Sequence, residues 1–310
     1  MGYQEKIKKE GSFWDQAENH LYGRDETEFL PKEIIEYYNE SYTGAKDIPW
    51  WRFIGRFGSF EKGISLGCGT GLSEKRIMDA GICKEMDLVD LSEGALKEAR
   101  KRLEGYNCHF FAKDINNIEL PDKTYDFILG DTSFHHFANL EKIAEEIKKT
   151  LKDEGIFVLY DVVGEKRLQW DENKLEFASH ILKTIPLRYR INLSIFFAQS
   201  LPILERIKWF VRSFNRIEKV KPETITPFEA IRSDEIMDIM TAHFEPVFLR
   251  KVHGLISMLL INNVKLRKIK NSSLLQFICN VDRLLTQSEM YRDMHAFCVF
   301  KCKKSPVHID

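Results

Sequence analysis

The sequence has 310 residues, of which 44% are hydrophobic and 30% are charged, so it can form one substantial core and a smaller second lobe. Its formal net charge of −1 gives no overall positive field, which disfavours a general nucleic-acid-binding function. The six cysteines follow neither a CxxC nor a zinc-binding spacing, a pattern that disfavours a disulfide framework and indicates reduced thiols in the cytoplasm.

The N-terminal stretch MGYQEKIKKEGSFW has no apolar core of the kind that a secretory signal requires, so we expect a cytoplasmic protein. The most membrane-like stretch, residues 191–211, is interrupted by Pro202 and by charged side chains. It is too polar to cross a bilayer. A packed helical pair is the first interpretation, and a helix lying at a membrane surface is the alternative.

The central part of the chain alternates between two hydrophobic periods. Strand-length apolar runs occupy residues 64–66, 86–89, 109–112, 125–129 and 156–160. Helical stripes follow Ser92, a predicted N-cap, and Asn139. This alternation predicts a parallel sheet with helices on both faces, in which Gly155 turns a helix into the fifth strand.

The second half of the chain has a different character. Residues 165–220 are rich in Arg, Trp, Phe and Leu without a strand pattern, which predicts a helical insertion that covers a bound acceptor. Ser233 is predicted to cap a further helix, and the segments PVFLRKV and HAFCVFKC are predicted strands. We therefore divide the chain into an N-terminal helical cover (1–60), a binding core (61–163), a helical insertion or lid (164–227) and a segment that completes the sheet around further helical residues (228–310).

The segment GISLGCGTG, at residues 63–71, carries closely spaced glycines directly after the first predicted strand. Glycines at such a turn let the backbone approach a ligand that binds outside the carboxyl ends of parallel strands. A dinucleotide fingerprint requires a further glycine where Leu72 stands, and no Lys-Ser or Lys-Thr pair follows as a phosphate-binding loop requires. The pattern therefore disfavours both a nicotinamide cofactor and a phosphate-binding loop.

Acidic residues stand at the ends of the next two predicted strands. Asp90 ends the second strand, where its carboxylate can accept hydrogen bonds from both hydroxyls of a ribose. Asp114 follows the third strand and can accept a hydrogen bond from an adenine amino group, with Ile115 beside it as an apolar wall. Together these residues predict an adenosine-shaped site without a pyrophosphate holder.

Five segments resemble, in order and spacing, the successive motifs of the class I S-adenosylmethionine-dependent methyltransferases: SLGCGTG, LVDLSEGAL, AKDINNIELPDKTYDFILGD, FHHF and LKDEGIFVLYD. The resemblance covers residues 60–163 and implies an α/β fold with a Rossmann-like sheet of seven strands, the last two forming an antiparallel pair. It implies S-adenosyl-L-methionine as the cofactor, with the cofactor-binding residues Ser65, Gly67, Gly69, Gly71, Asp90, Leu91, Asp114, Ile115, Gly130 and Asp131. The C-terminal half is more loosely similar to bacterial methyltransferases of glycan assembly.

The resemblance also implies which part of the cofactor each position contacts. The glycine loop at residues 67–71 passes under the methionyl part, and residues 130–131 lie along the methionyl chain. Asp90 holds the ribose, and Asp114 with Ile115 borders the adenine. The segment 12–24 resembles the N-terminal helix that closes over the cofactor in many family members, the alternative being a simple apolar contact of its Trp14 and Tyr22 with the core.

One position departs from the family pattern. Many members carry an acidic residue two positions before the first glycine, where this chain has Ser65. In the resembled family this acid helps to organise the methionyl end of the cofactor. Here either another carboxylate such as Asp131 or a water bound by Ser65 then has this role. The departure keeps open, as an alternative, a module that binds the cofactor without catalysing a reaction.

Methyl transfer from a sulfonium is an in-line displacement, so the protein must position the acceptor and exclude water. A hydroxyl acceptor must also lose its proton, and histidine titrates in a range that suits a proton acceptor. His135 and His136 follow the fourth strand and are the predicted catalytic residues, the alternative being that both are structural. We expect no metal at this pair, because adjacent histidines point in divergent directions.

Tyr160, Trp170 and Arg232 are the predicted acceptor-binding residues, because they follow the fifth strand or offer an aromatic face or a cation to a polar acceptor. The turn GDTSFHHF lacks the N-P-P-[YFW] pattern, which argues against methylation of nucleic-acid bases. The predicted activity is O-methylation of a sugar hydroxyl on a glycan or lipid-linked precursor, with a small metabolite as the alternative acceptor. The sequence does not indicate an oligomeric state.

Overall fold

The computed structural model describes residues 2–17, 30–190, 215–221, 226–262 and 264–303, together with residues 204 and 207. A mixed sheet of seven strands forms its centre. The strands are β1 (Phe60–Leu66), β2 (Cys83–Asp90), β3 (Asn107–Ala112), β4 (Tyr125–Asp131), β5 (Leu151–Val162), β6 (Phe244–Val252) and β7 (His295–Cys302). Their order across the sheet is β3-β2-β1-β4-β5-β7-β6, and β7 runs antiparallel to both of its neighbours. The expected seven-stranded Rossmann-like sheet is thereby confirmed.

Helices cover both faces of this sheet, as the alternation of strand and helix predicts. In chain order they are α1 (Tyr3–Ala17), α2 (Lys32–Thr43), α3 (Trp50–Phe53), α4 (Leu72–Asp79), α5 (Glu93–Arg102), α6 (Leu140–Thr150), α7 (Glu172–Thr184), α8 (Leu187–Arg190), α9 (Ile236–His243), α10 (Leu255–Ile261) and α11 (Ser272–Ser288). A short 3-10 turn, Phe134–His136, follows β4.

Alternate residues of β4 point to opposite faces of the sheet and enter two separate hydrophobic cores. Phe127 and Leu129 belong to the core that also contains residues of α2, α3, α4, α7, α10 and α11. Ile128 belongs to the core that contains residues of α6 and α9. Because β4 is buried on both faces, its sequence is a nearly continuous apolar run rather than an alternating one.

The two predicted serine caps have different outcomes. Ser92 does cap α5, because its Oγ accepts a hydrogen bond from the backbone N–H of Ala95 at 3.0 Å. The prediction that Ser233 caps a helix is wrong. A 3-10 turn, Ser233–Glu235, precedes the first residue of α9, and the buried Ser233 hydroxyl donates back to the carbonyl of Ala230 at 3.4 Å.

The region after β5 begins with α7 and α8, which agrees with its predicted helical character. Most of the stretch 191–211 lies outside the described residues, so the lid and the division of the chain at residues 164–227 stay predictions. In the part of the chain that the structure describes, no helix is both long enough and apolar enough to span a membrane. All six cysteines are free thiols.

Candidate functional site

A cavity opens at the carboxyl ends of the parallel strands, where ligands bind in sheets of this kind. Its wall contains six of the predicted cofactor-binding residues: Gly67, Gly69, Asp90, Leu91, Asp114 and Ile115. α1 contributes Ile7, Glu10 and Trp14 to the same wall. We call this space the cofactor cavity. Four predicted residues do not form part of its wall: Ser65, Gly71, Gly130 and Asp131.

The glycine loop after β1 has a backbone conformation that residues with a side chain avoid. Gly67, Gly69 and Gly71 have φ angles of 82°, 51° and 73°, all in the left-handed region. A Cβ on Gly67 would lie 2.5 Å from the Cβ of Ser133, so the loop after β4 also requires a bare backbone there. A Cβ on Gly71 would lie 3.1 Å from the Cβ of Ala99. The first two glycines therefore shape the cavity, while the third permits close packing against α5.

Asp90 fixes the glycine loop and also faces the cavity. Its Oδ2 accepts a hydrogen bond from Gly69 N at 2.8 Å, and its Oδ1 accepts one from Ser92 N at 2.9 Å. Burial raises the pKa of Asp90 above its ordinary value, although both hydrogen bonds favour the charged form. A carboxylate offers about four acceptor positions, so Asp90 can still accept a hydrogen bond from a ligand.

α1 is attached to the ends of β2 and β3. The Tyr3 hydroxyl donates a hydrogen bond to Asp114 Oδ2 at 2.7 Å, and the Ser92 hydroxyl donates one to Asp15 Oδ1 at 2.7 Å. Burial and the neighbouring carboxylate raise the pKa of Tyr3, so its hydroxyl keeps the proton that it donates. α1 thus forms one wall of the cofactor cavity through Trp14. The other aromatic residue of the predicted cover, at position 22, lies outside the described residues.

Ser65, which stands where many members of the resembled family carry an acid, is paired with a carboxylate from α4. Its hydroxyl donates a hydrogen bond to Glu74 Oε1 at 2.6 Å, and both side chains are buried. Burial raises the pKa of Glu74 to about 7, the hydrogen bond from Ser65 opposes this change, and the charge of Asp131 adds to it. The Ser73 hydroxyl donates to Asp131 Oδ2 at 2.5 Å. The partner of Ser65 is therefore Glu74, a residue that the sequence analysis missed.

Asp161, at the tip of β5, anchors the loop that follows β4. Its Oδ2 accepts hydrogen bonds from Ser133 N at 2.9 Å and from Phe134 N at 2.6 Å. Its Oδ1 lies 2.5 Å from His135 Nδ1. This one carboxylate therefore fixes both the backbone of the loop and the orientation of the His135 ring.

His135 and His136 stand among three carboxylates. His135 Nε2 lies 3.6 Å from Glu229 Oε1, and His136 Nε2 lies 3.7 Å from Glu229 Oε2. His136 Nδ1 lies 3.2 Å from Glu10 Oε1. Burial lowers the pKa of His135, but the charges of Asp161 and Glu229 outweigh it and raise this pKa to about 9. Of the two histidines, His136 lines the cofactor cavity.

A second cavity shares Thr132 with the cofactor cavity. The Ser257 hydroxyl lies 2.8 Å from His295 Nε2 and 3.4 Å from the hydroxyl of Tyr38. Burial lowers the pKa of His295 to about 4, so its ring is neutral at pH 7. The wall of the second cavity consists of Leu30, Tyr38, Tyr42, Thr132, Tyr160, Asp161, Ser257, Leu260 and His295.

Of the three predicted acceptor-binding residues, only Tyr160 lines a described cavity. Tyr160 belongs to the wall of the second cavity. Trp170 is 1% exposed and packs in the hydrophobic core, where its large apolar ring is most stable. The guanidinium of Arg232 lies 2.6 Å from carboxylate oxygens of both Glu141 and Glu235, so it forms ion pairs with two neighbouring side chains. The wall of neither described cavity includes Trp170 or Arg232.

The sequence analysis missed several polar residues of these two cavities. His295 and Ser257 face the second cavity, and Glu10 and Glu229 contact the histidine pair. The available signal for His295 was its position at the start of the predicted strand HAFCVFKC. The two glutamates carried no local signal, because each lies far from the histidines along the chain.

Comparison with known proteins finds a methyltransferase domain and similar methyltransferases. Residues 64–159 match the family model described as "Methyltransferase domain". The chain is similar to a malonyl-[acyl-carrier protein] O-methyltransferase of Acetivibrio thermocellus, with 29% identity over 93 residues, which are 30% of this chain and 32% of that protein. It is also similar to the sterol 4-C-methyltransferase strm-1 of Caenorhabditis elegans, with 26% identity over 115 residues, or 36% of this chain and 34% of that protein. The chain thus spans about a third of the length of these relatives.

Among solved structures, the chain is similar to the N-methyltransferase NodS of Bradyrhizobium japonicum WM9, determined in complex with S-adenosyl-L-homocysteine. The two are 11% identical, with a TM-score of 0.49, and the superposition covers 96% of this chain and all of that one.

Proposed function

We propose that this chain, whose methyltransferase domain makes it a class I S-adenosylmethionine-dependent methyltransferase, transfers a methyl group to a hydroxyl oxygen of an acceptor bound in the second cavity. The observation that carries the proposal is the position of Thr132, which belongs to the walls of both cavities directly after β4. A cofactor in one cavity and an acceptor in the other meet at this residue.

The cofactor cavity has the hydrogen-bond acceptors and the bare backbone that S-adenosylmethionine requires. Asp90 keeps acceptor positions for the ribose, and Asp114 with Ile115 forms the wall expected around the adenine. The bare backbone at Gly67 and Gly69 leaves room for the methionyl part. When bound, the cofactor supplies a methyl group on a positively charged sulfur.

The charge of the cofactor cavity also suits a cation. Glu10, Asp90 and Asp114 contribute carboxyl groups to its wall. Among the wall residues that the structure describes there is no lysine or arginine. A sulfonium and an ammonium group are favoured in such a field, whereas the pyrophosphate of a dinucleotide would be repelled.

The second cavity suits a neutral, ring-shaped acceptor. Tyr42 and Tyr160 give it aromatic walls, and the Tyr160 ring stacks on Trp50 with the centroids 4.8 Å apart, which fixes its orientation. Asp161 adds a carboxyl group, and no lysine or arginine occurs among the described residues of this wall, so an anionic acceptor finds no compensating charge. These features support a sugar hydroxyl as the acceptor, with a small ring-bearing metabolite as the alternative.

We assign the proton-accepting role to His295 instead of the predicted His135 and His136. The neutral His295 ring accepts a proton through Ser257, whose hydroxyl is hydrogen-bonded to Nε2 and faces the same cavity. His135 does not belong to the wall of the second cavity and has a carboxylate near each ring nitrogen, so it serves to hold the loop after β4. His136 lines the cofactor cavity and not the second cavity.

The proposal is tested with the purified full chain, S-adenosylmethionine labelled in its methyl group, and a panel of sugars, phenols and carboxylic acids. We expect label in a hydroxyl acceptor and none in a malonyl thioester, the acceptor that the names of several relatives suggest. His295→Gln should reduce transfer without weakening cofactor binding, and His180→Gln, an exposed histidine of α7, is the matched control.

Two results would overturn parts of this proposal. Label found only in carboxylic acids would replace the hydroxyl acceptor by a carboxyl acceptor. Cofactor binding without transfer to any member of the panel would favour the alternative of a binding module without catalysis.

A further inference from the structure

We propose that His135, His136 and Glu229 form a binding site for one divalent transition-metal ion beside the cofactor cavity, to whose wall His136 belongs. The ligand atoms are the Nε2 atoms of both histidines and the carboxylate of Glu229. One ligand atom from each residue lies within 4.8 Å of the other two. The site depends neither on the acceptor nor on the proton-accepting residue proposed above.

The spacing of these atoms fits a shared metal ion better than hydrogen bonds. The Nε2 atoms of His135 and His136 lie 3.6 and 3.7 Å from the two carboxylate oxygens of Glu229. Both distances exceed the upper limit of about 3.2 Å for a normal N–H···O hydrogen bond. Two ligands bound tetrahedrally at about 2.1 Å from a zinc ion lie about 3.4 Å apart. Small shifts of the Glu229 side chain therefore complete the coordination.

Each histidine has a carboxylate at its other ring nitrogen. His135 Nδ1 lies 2.5 Å from Asp161 Oδ1, and His136 Nδ1 lies 3.2 Å from Glu10 Oε1. Histidines that bind metals commonly donate Nδ1–H to such a carboxylate, which leaves the Nε2 lone pair for the metal. His135 has this hydrogen bond, whereas the Glu10 carboxylate lies beside Nδ1 of His136 without one. Both Nε2 atoms face the same glutamate.

The cluster also concentrates negative charge in a poorly solvated place. Glu10 and Asp161 are 4% and 2% exposed, and the Glu229 side chain is 22% exposed. If both imidazoles are neutral, the three carboxylates leave three negative charges close together, which is costly away from water. One divalent cation offsets two of these charges.

The segment that carries Glu229 is hydrogen-bonded to Arg167 and to the turn that carries His135 and His136. The Arg167 guanidinium donates hydrogen bonds to the carbonyls of Thr226 and Glu229 at 3.0 and 3.1 Å. The backbone N–H of Ile231 donates to the carbonyl of His135 at 3.1 Å. A metal ion would therefore find its ligands already assembled, without ordering a loose segment.

The geometry removes the reason for expecting no metal here. The 3-10 turn Phe134–His136 brings the ring centroids of the two histidines to 4.1 Å from each other, so the adjacent side chains do not diverge. Two imidazoles and one carboxylate suit Zn²⁺ and the neighbouring first-row metals, whereas Mg²⁺ and Ca²⁺ prefer sites made of oxygen alone. Three protein ligands leave one tetrahedral position open.

The test uses the full chain stripped of metal by a chelator, with Co²⁺ and then Zn²⁺ as probes. We expect one Co²⁺ per chain, seen by its visible absorption, and displacement by one equivalent of Zn²⁺. His136→Gln and Glu229→Gln should each weaken Zn²⁺ binding by about 100-fold or more, because each removes a ligand. His180→Gln, on the exposed face of α7, should leave binding unchanged. Circular dichroism shows whether each variant folds.

Zn²⁺ binding that both ligand variants lose would support the site. Absence of Zn²⁺ binding in the wild type, or binding that survives both substitutions, would overturn it, and the carboxylates would then neutralise two protonated histidines. If a ligand variant does not fold, Glu10→Gln keeps all three ligands and should still weaken binding by about 10- to 100-fold. The readout involves no methyl transfer, so failure of the metal site leaves the proposed function standing.

Discussion

His135 Nδ1 lies 2.5 Å from Asp161 Oδ1, and this contact joins the loop after β4 to the tip of the neighbouring strand β5. The same carboxylate accepts hydrogen bonds from the backbone N–H groups of Ser133 and Phe134. One side chain therefore holds the segment that begins at Thr132, the residue shared by the two cavities.

Replacing Asp161 by alanine should lower the free energy of unfolding by about 3–5 kcal/mol, because the change leaves His135 and two backbone N–H groups buried without their partner. Urea denaturation at pH 7 measures this loss. Asp161→Asn keeps one acceptor oxygen and should cost less. Asp153→Ala, on a side chain that is 87% exposed, is the control and should change stability by less than about 0.5 kcal/mol. Equal losses in the two alanine variants would contradict the anchoring role.

Replacing Asp90 by alanine should weaken the binding of S-adenosylmethionine and S-adenosylhomocysteine by about 100-fold. The carboxylate provides acceptor positions for the ribose and also holds Gly69, and hydrogen bonds to a charged group contribute about 1.5–3 kcal/mol each. Calorimetric titration of both ligands measures the change, with NAD as a ligand that should not bind. Unchanged affinity in Asp90→Ala would exclude this residue as the ribose partner.

Glu74 predicts a pH dependence of stability. Burial raises its pKa in the folded protein from an ordinary value of 4.5 to about 7. Between these values the folded chain holds a proton that the unfolded chain releases. The stabilising contribution is therefore complete below pH 4.5 and is lost as the pH rises through 7, with a size on the order of 3 kcal/mol.

Glu74→Gln removes this titration, so its free energy of unfolding should fall less steeply between pH 5 and 8 than that of the wild type. Denaturation curves at several pH values measure the difference. Glu61→Gln, on a side chain that is 71% exposed, is the matched control and should follow the wild type. Parallel curves for the wild type and Glu74→Gln would show that the buried pair with Ser65 titrates normally.

His295 predicts the pH profile of methyl transfer. Because burial lowers its pKa to about 4, the ring stays neutral above pH 5 and the rate with a neutral acceptor should be nearly constant from pH 5 to 8. A proton acceptor with the pKa of His135 would instead give a rate that rises until about pH 9. General bases typically raise the rate by about 10²- to 10⁴-fold, and a base this weak should contribute at the low end of that range. His295→Gln should therefore lower kcat by about 100-fold and change KM little.

The strands, the glycine loop and the acidic residues at the strand ends could be predicted because each has a local signal. β1 is an apolar run that ends in glycines, and Asp90 ends the next apolar run. The pairing of Ser65 with Glu74 has no such signal, since a serine in a strand gives no indication that it needs a carboxylate. Glu10 and Glu229 reach the histidines only after distant segments fold together, and a contact of that kind leaves no pattern in a single sequence.

Trp170 and Arg232 lie away from both described cavities for a different reason. An aromatic ring and a guanidinium both suit a sugar, but residue type alone does not show whether the side chain is exposed. Trp170 gains more from burial in the core than from solvent contact, and two carboxylates on neighbouring helical segments occupy Arg232. Tertiary packing decides whether such a side chain lies in the core, in a surface ion pair or in a binding site.

The two attachments of α1, Tyr3 to Asp114 and Asp15 to Ser92, have a kinetic consequence. Under the proposed function, each round of methyl transfer would leave the demethylated cofactor behind α1, and a fresh molecule would have to replace it before the next round. Breaking these two hydrogen bonds would free α1 from the ends of β2 and β3, so α1 would influence how long the product stays bound. Under the proposed function, turnover would therefore depend on two separate places in the chain, the strand ends where the methyl group is transferred and the helix behind which the product lies.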